Sequence, residues 1–170
     1  MKGTRNARFL HNTFAMGIEQ YQGRDGKVIR GTKGQGIGFC NSADGTPATG
    51  IVRNNIFYNS YIYWIPRGNE GTLILCSGNL LFCEWHLFSK KSWETDIVNE
   101  DPLFRNIKNI AGEDGKPFTM DDGYVLTKDS PCIDSASEGN ENPRVDIFGV
   151  TRPQGKRSDI GAYEVRTDER

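Results

Sequence analysis

Three stretches of the chain repeat one pattern of apolar and polar positions. They are Arg8-Phe9-Leu10-His11-Asn12-Thr13-Phe14, Ile51-Val52-Arg53-Asn54-Asn55-Ile56-Phe57 and Leu75-Cys76-Ser77-Gly78-Asn79-Leu80-Leu81-Phe82. Each holds a short β-favouring run, then asparagine, then a second apolar run with phenylalanine close behind. From Asn12 to Asn55 is 43 positions and from Asn55 to Asn79 is 24. The first interval is nearly twice a repeat of about 22 residues, a length used by repeat architectures. An intermediate strand is available at Ile37-Gly38-Phe39-Cys40-Asn41. Turn signals fall between the runs, at Asp25-Gly26-Lys27, Asp44-Gly45, Arg67-Gly68-Asn69 and Gly71. No segment carries a long helical period, and the pattern leaves room for one short helix, near Ser89 to Asn99.

Strands this short cannot bury an apolar face alone, whereas stacking on their neighbours makes a continuous core. The pattern therefore predicts an all-β solenoid of a few coils with uneven loops over residues 1–98. At each corner an asparagine can adopt the left-handed conformation, with its amide bonded to the equivalent asparagine one coil away. From about Asn99 the texture changes to short apolar anchors separated by polar loops rich in Pro and Gly. The anchors are Asp101-Pro102-Leu103-Phe104, Tyr124-Val125-Leu126, Ser130-Pro131-Cys132-Ile133-Asp134, Arg152-Pro153 and Asp159-Ile160-Gly161-Ala162-Tyr163-Glu164. Residues 99–170 read as a capping segment packed on the same solenoid, one domain with it, because a solenoid end needs covering. The Asp, Arg and Pro residues of this ending are expected to hold its loops.

The runs at 54–59 and 79–82 resemble coil strands of the pectate-lyase-like superfamily of right-handed parallel β-helix proteins. The ordered set DPLF, YVL, SPCID, RP and DIGAYE resembles the C-terminal ending of many secreted bacterial members. The likeness implies a right-handed parallel β-helix, a setting outside the cell, in the periplasm or at the cell surface, and polysaccharide or oligosaccharide as partner. It implies either a polysaccharide lyase, with glycoside hydrolase behind it, or a non-catalytic glycan-binding or structural module. Members have more coils than this chain can hold, and catalytic residues often lie on central coils, so the chain reads as a fragment whose activity alone is open. An uncovered first coil would also pair end to end with a second copy.

Composition narrows this further. The chain has 170 residues, 21 basic against 22 acidic, for a net charge of -1, which excludes the basic stripe of a general nucleic-acid binder. No run of cations suggests an anionic membrane surface, and no apolar stretch is long enough to span a bilayer. The start, Met1-Lys2-Gly3-Thr4-Arg5-Asn6, lacks the apolar region of a signal peptide. Twenty glycines fit a turn-rich chain. Cys40, Cys76, Cys83 and Cys132 show neither a CxxC pair nor histidine spacing, so they read as free thiols and not as zinc ligands or a disulfide.

Candidate chemistry follows from what a glycan requires. A uronate lyase needs a cation for the carboxylate and a base for the α-proton. Arg53, Arg67, Lys90, Lys91, His11 and His86 are available, with His11, inside a strand run, expected to be structural. A hydrolase needs two carboxylates flanking the glycosidic bond, and no pair can be named from Glu19, Glu70, Glu84, Glu94 and the aspartates. Aromatic faces suit the apolar side of a sugar, and Tyr61, Tyr63, Trp64, Trp85 and Trp93 cluster near expected loops. Trp64, Arg67, Trp85 and His86 are the candidate substrate-binding residues, with the catalytic residues unassigned. No cofactor is expected. Asp121, Asp122, Asp134, Asp146 and Asp159 invite a calcium reading, but their spacing matches no calcium loop and favours structural roles.

Overall fold

Each asparagine-centred run folds into two strands that meet at a corner. The computed structural model describes residues 4–15, 19–22, 28–31, 35–64, 73–83 and 94–169. The first run gives β1 (Ala7–Leu10) and β2 (Thr13–Ala15), and β3 (Glu19–Gln22), β4 (Val28–Gly31) and β5 (Gln35–Gly38) follow. The second gives β6 (Thr49–Arg53) and β7 (Ile56–Tyr58), with β8 (Tyr61–Trp64) after it. The third gives β9 (Leu73–Ser77) and β10 (Leu80–Phe82), and β11 (Ile97–Val98) comes last. Among the described residues the single helical element is a 3-10 turn at Thr167–Glu169.

The expected right-handed parallel β-helix is corrected by the sheet topology. The strands form two small parallel sheets, β1-β6-β9 and β11-β10-β7-β2, with a two-stranded β3-β4 and a two-stranded β5-β8 beside them. The β3-β4 pair is antiparallel. Among the described residues strand is frequent and helix almost absent. Such parallel pairing is α/β-like in layout, and no solenoid is seen among the described residues. The physical reason lies in what the repeat specifies. An asparagine between two apolar runs encodes a corner joining two parallel sheets, and says nothing of how the chain returns. Returns of unequal length, one of them holding an antiparallel pair, do not make a regular stack. The short helix expected near Ser89 to Asn99 is corrected in its described part, where Ile97–Val98 is a strand; residues 84–93 lie outside the described residues.

The corner itself matches the amide bonding expected of it. Asn12 N–H donates to Asn55 Oδ1 at 2.9 Å, Asn55 N–H to Asn79 Oδ1 at 3.0 Å, and Asn79 N–H to Asp96 Oδ1 at 2.9 Å. The amide nitrogens reach neighbouring strand carbonyls, Asn55 Nδ2 to Phe9 O at 2.9 Å and Asn79 Nδ2 to Val52 O at 3.0 Å. Buried backbone groups that the turn would orphan are thus paired. The left-handed residue sits one position earlier than expected, at His11 (φ 52°), Asn54 (φ 57°) and Gly78 (φ 63°). Gly78 has a second reason to be glycine, since a Cβ there would lie 2.5 Å from Ser137 Oγ and 2.6 Å from Asn54 Oδ1.

Register explains which side chains are buried. Phe9, Val52 and Cys76 share one row of the three-stranded sheet. Phe14, Phe57, Leu81 and Val98 share a row of the four-stranded sheet. The two rows meet with Ile37, Phe39 and Ala48 in one core, where Phe14 stacks on Phe57 with centroids 4.9 Å apart. Fully burying a side chain of Phe57's size is worth roughly 1.5–3 kcal/mol. The opposite face of the four-stranded sheet, with Ile56, Tyr58 and Leu80, packs against Leu126, Cys132, Ala136, Ile160 and Val165 in a second core. Covered on both sides, Ile56–Tyr58 is a continuous apolar run instead of an alternating one. Residues 99–169 therefore lie over the flank of the sheet and reach back to its first strand, where Ala162 N–H donates to Thr13 Oγ1. All four cysteines are free thiols, with Cys76, Cys83 and Cys132 buried. Burial, the larger cause, and the Asp96 charge push the Cys76 thiol up to about 12.

Candidate functional site

The same left-handed corner that joins the sheets also receives the C-terminal segment. His11 is buried there. Its Nδ1 lies 3.0 Å from Asp159 O, and its Nε2 lies 2.9 Å from Asn54 Nδ2. The Arg152 guanidinium, which only donates, also lies 3.2 Å from Nδ1, so both ring nitrogens are engaged by the joint. Desolvation first, and then the Arg152 charge, hold its pKa down at about 4. Asn54 completes the joint by clamping Ser137, whose N–H donates to Oδ1 at 2.8 Å and whose carbonyl accepts from Nδ2 at 2.9 Å. The expectation of a structural role for His11 fits this geometry.

Behind His11 sits an ion pair sealed from solvent. Arg152 Nη1 is 3.0 Å from Glu164 Oε2, with side-chain exposures of 1% and 0%. Arg152 also donates to Asp159 O at 2.8 Å and to Gly161 O at 2.8 Å. Asp159 accepts from Asp134 N–H and Val165 N–H, and Asp146 from Phe148, Val150 and Glu164 N–H. Buried charges are tolerable only when so many donors and acceptors saturate them. Even so, burial pushes Glu164 up and Arg152 down. The loop-fixing roles expected of Asp159 and Arg152 match these contacts, whereas Asp134 enters them through its backbone N–H and its carboxylate accepts from Arg157 N–H at 3.4 Å. Asp121 likewise accepts from Glu113 N–H, Asp114 N–H and Thr119 Oγ1. Among the described residues no set of three His, Cys, Asp or Glu side chains is gathered as a metal would require. Two buried polar atoms there lack a partner, Asp122 Oδ1 and Arg152 Nε.

Two surfaces lie next to this joint. The first is the outer face of the three-stranded sheet. Register puts Arg8, Ile51 and Leu75 in one outward row, and Leu75 is 55% exposed. A hollow of about 300 Å³ runs along it, with Asn6 and Thr49 at its border. In the next row Arg53 donates to Ser77 Oγ at 3.0 Å and pairs with Glu141 Oε2 at 3.0 Å. The second surface is a cleft of about 200 Å³ between the loop at 136–144 and the loop at 152–158. Arg144, Lys156 and Arg157, all exposed, stand in its wall, as does buried Arg152. Glu138 is the carboxylate of the lining. Both surfaces touch the loop that carries Ser137 and Glu141.

Of the four substrate-binding candidates, Trp64 ends β8, where the backbone alone is described. Arg67, Trp85 and His86 lie outside the described residues, as do Trp93, Lys90 and Lys91. The cations of the cleft were missed by sequence reasoning. Their signal was there: Arg152-Pro153-Gln154-Gly155-Lys156-Arg157 holds three cations in six residues of a nearly neutral chain. No family model matches this chain, and no curated protein matches it in sequence. Among the described residues no helix is long and apolar enough to cross a membrane.

Proposed function

We propose that the chain is the glycan-holding, non-catalytic part of a carbohydrate-active protein, seating a polysaccharide along the outer face of the three-stranded sheet. The observation that carries this reading is the outward row Arg8, Ile51 and Leu75 beside its hollow. Aliphatic side chains suit the apolar C–H face of a sugar, while Asn6, Thr49 and Arg8 offer polar partners for hydroxyl or carboxylate groups at the rim. The resemblance of the chain's ending to secreted β-helix proteins points to the same substrate class. Binding is preferred to lyase chemistry because His11 has both ring nitrogens engaged and holds no place from which to take a substrate proton.

Affinity electrophoresis against neutral and acidic polysaccharides tests the reading. Retention by at least one polysaccharide, weakened about tenfold by Leu75→Asp, is the expected result. No retention across the panel overturns it. Growth of unsaturated-uronate absorbance with the purified chain would replace the binding reading with a lyase.

A further inference from the structure

We infer that the cleft between the 136–144 and 152–158 loops is an oxyanion site, taking the carboxylate or sulfate group of an acidic glycan; the glycan source rests on the reading above, the oxyanion does not. Four cations, Arg144, Arg152, Lys156 and Arg157, line one hollow against a single carboxylate, Glu138. That concentration stands out in a chain whose charges otherwise balance, 21 basic to 22 acidic.

What makes the cleft a site and not a solvated loop is the state of those cations. Exposed Arg144, Lys156 and Arg157 have no ion pair or side-chain hydrogen bond among the described residues. Three uncompensated cations around one hollow repel each other, and an anion between them removes that cost. The second observation is independent. Arg152, in the same lining, is sealed at 1% side-chain exposure, yet its Nε has no partner. A buried guanidinium N–H without an acceptor is costly, and an acceptor admitted to the cleft that Arg152 lines would lower that cost.

The framework is rigid where it needs to be. The 136–144 loop is pinned by Asn54 on Ser137, by Asn142 Nδ2 on Ser137 O at 2.9 Å, and by the Arg53–Glu141 pair. Gly139 permits the last of these, since a Cβ there would fall 2.0 Å from Arg53 Nη1. The opposite loop is held by Arg152 N–H on Arg144 O at 2.9 Å and by Gln154 N–H on Glu164 Oε1 at 2.8 Å. The buried carboxylates of Glu164, Asp146 and Asp159 act on Arg152 and offset its charge, so the positive charge of the cleft is carried by exposed Arg144, Lys156 and Arg157. Guanidinium groups at Arg144 and Arg157 offer the forked donors that match a planar carboxylate or one edge of a sulfate.

The full chain, ¹⁵N-labelled, is titrated with sodium sulfate, with oligogalacturonate and with a neutral galacto-oligosaccharide, each against sodium chloride at equal ionic strength. Saturable shifts confined to amides of 136–144 and 152–158, for sulfate and oligogalacturonate, are expected. Arg144→Gln/Arg157→Gln changes exposed side chains only, and it is expected to weaken both at least about tenfold while Lys128→Gln does not. No saturable shift with either anion, or shifts that survive the double substitution, overturns the site. Sulfate binding without any sugar binding upholds the oxyanion site and removes the glycan reading. Equal binding of neutral and acidic sugars, indifferent to the double substitution, removes the site and leaves the glycan reading in place.

Discussion

Two buried polar systems meet at the same corner, and they are built on opposite principles. The asparagine ladder through Asn12, Asn55 and Asn79 is made of neutral amides that repeat from strand to strand, exposed at Asn12 and ending on the buried carboxylate of Asp96. Each rung is satisfied by its neighbour and by local carbonyls, so its cost of burial is met along the sheet. The cluster around Arg152, Glu164, Asp159 and Asp146 is charged, occurs once, and closes through backbone N–H groups of the C-terminal segment. A ladder is tolerant because losing one rung leaves others paired. A single charged cluster has no such redundancy, and removing one member strands the rest in a dry interior.

The largest effect expected from this contrast is at Arg152. Arg152→Met should cost roughly 3–5 kcal/mol in urea-unfolding free energy, because Glu164 keeps its charge without its partner. Adding Glu164→Gln should recover part of that loss, and an additive or greater loss in the double variant would break the account of the pair.

Acid probes the joint between the two systems. The folded pKa of His11 is lowered from 6.5 to about 4. Protons therefore bind the unfolded chain first, and the His11 contribution is fully present above 6.5 and lost as pH falls from there toward 4. The loss should approach about 3 kcal/mol by pH 4. Unfolding curves of the wild type and His11→Asn, compared across this window, isolate it, since asparagine keeps the left-handed turn but does not titrate. Equal slopes in the two proteins would show that His11 is not held neutral.

A smaller effect is expected in the ladder. Asn79→Ala leaves the buried Asn55 N–H without its acceptor and should cost roughly 2 kcal/mol. A loss as large as that at Arg152 would mean that the ladder is no more forgiving than the charged cluster.

The difference also governs what the chain disclosed before its structure was known. Asn12, Asn55 and Asn79 announce the corner because each sits between two apolar runs, and their amide bonding follows from that placement. The left-handed position was misplaced by one residue, since His11 and Asn54 carry it beside Gly78, and a histidine there gives no turn signal. The overall architecture was overdrawn: corners recur, but the returns between them differ in length and carry the antiparallel β3-β4 pair. The role of the ending as a holder of loops was visible from its Asp, Arg and Pro residues. Its partners were not, because Arg152 to His11 spans 141 positions and no local pattern records such a contact. The cleft cations were open to view in sequence, yet their significance depends on Arg152 Nε being buried without a partner, which only packing shows.

Native-state hydrogen exchange tests most directly whether the charged cluster locks the C-terminal segment onto the four-stranded sheet as one unit. The amides to follow are Ile160, bonded to Cys132 O, and Gly161, bonded to Asn54 O, beside Ile56 and Leu80 within the sheet. The account predicts that all four exchange at the same opening free energy, and that Arg152→Met lowers them together. Early exchange of Ile160 and Gly161, with Ile56 and Leu80 still protected, would contradict it.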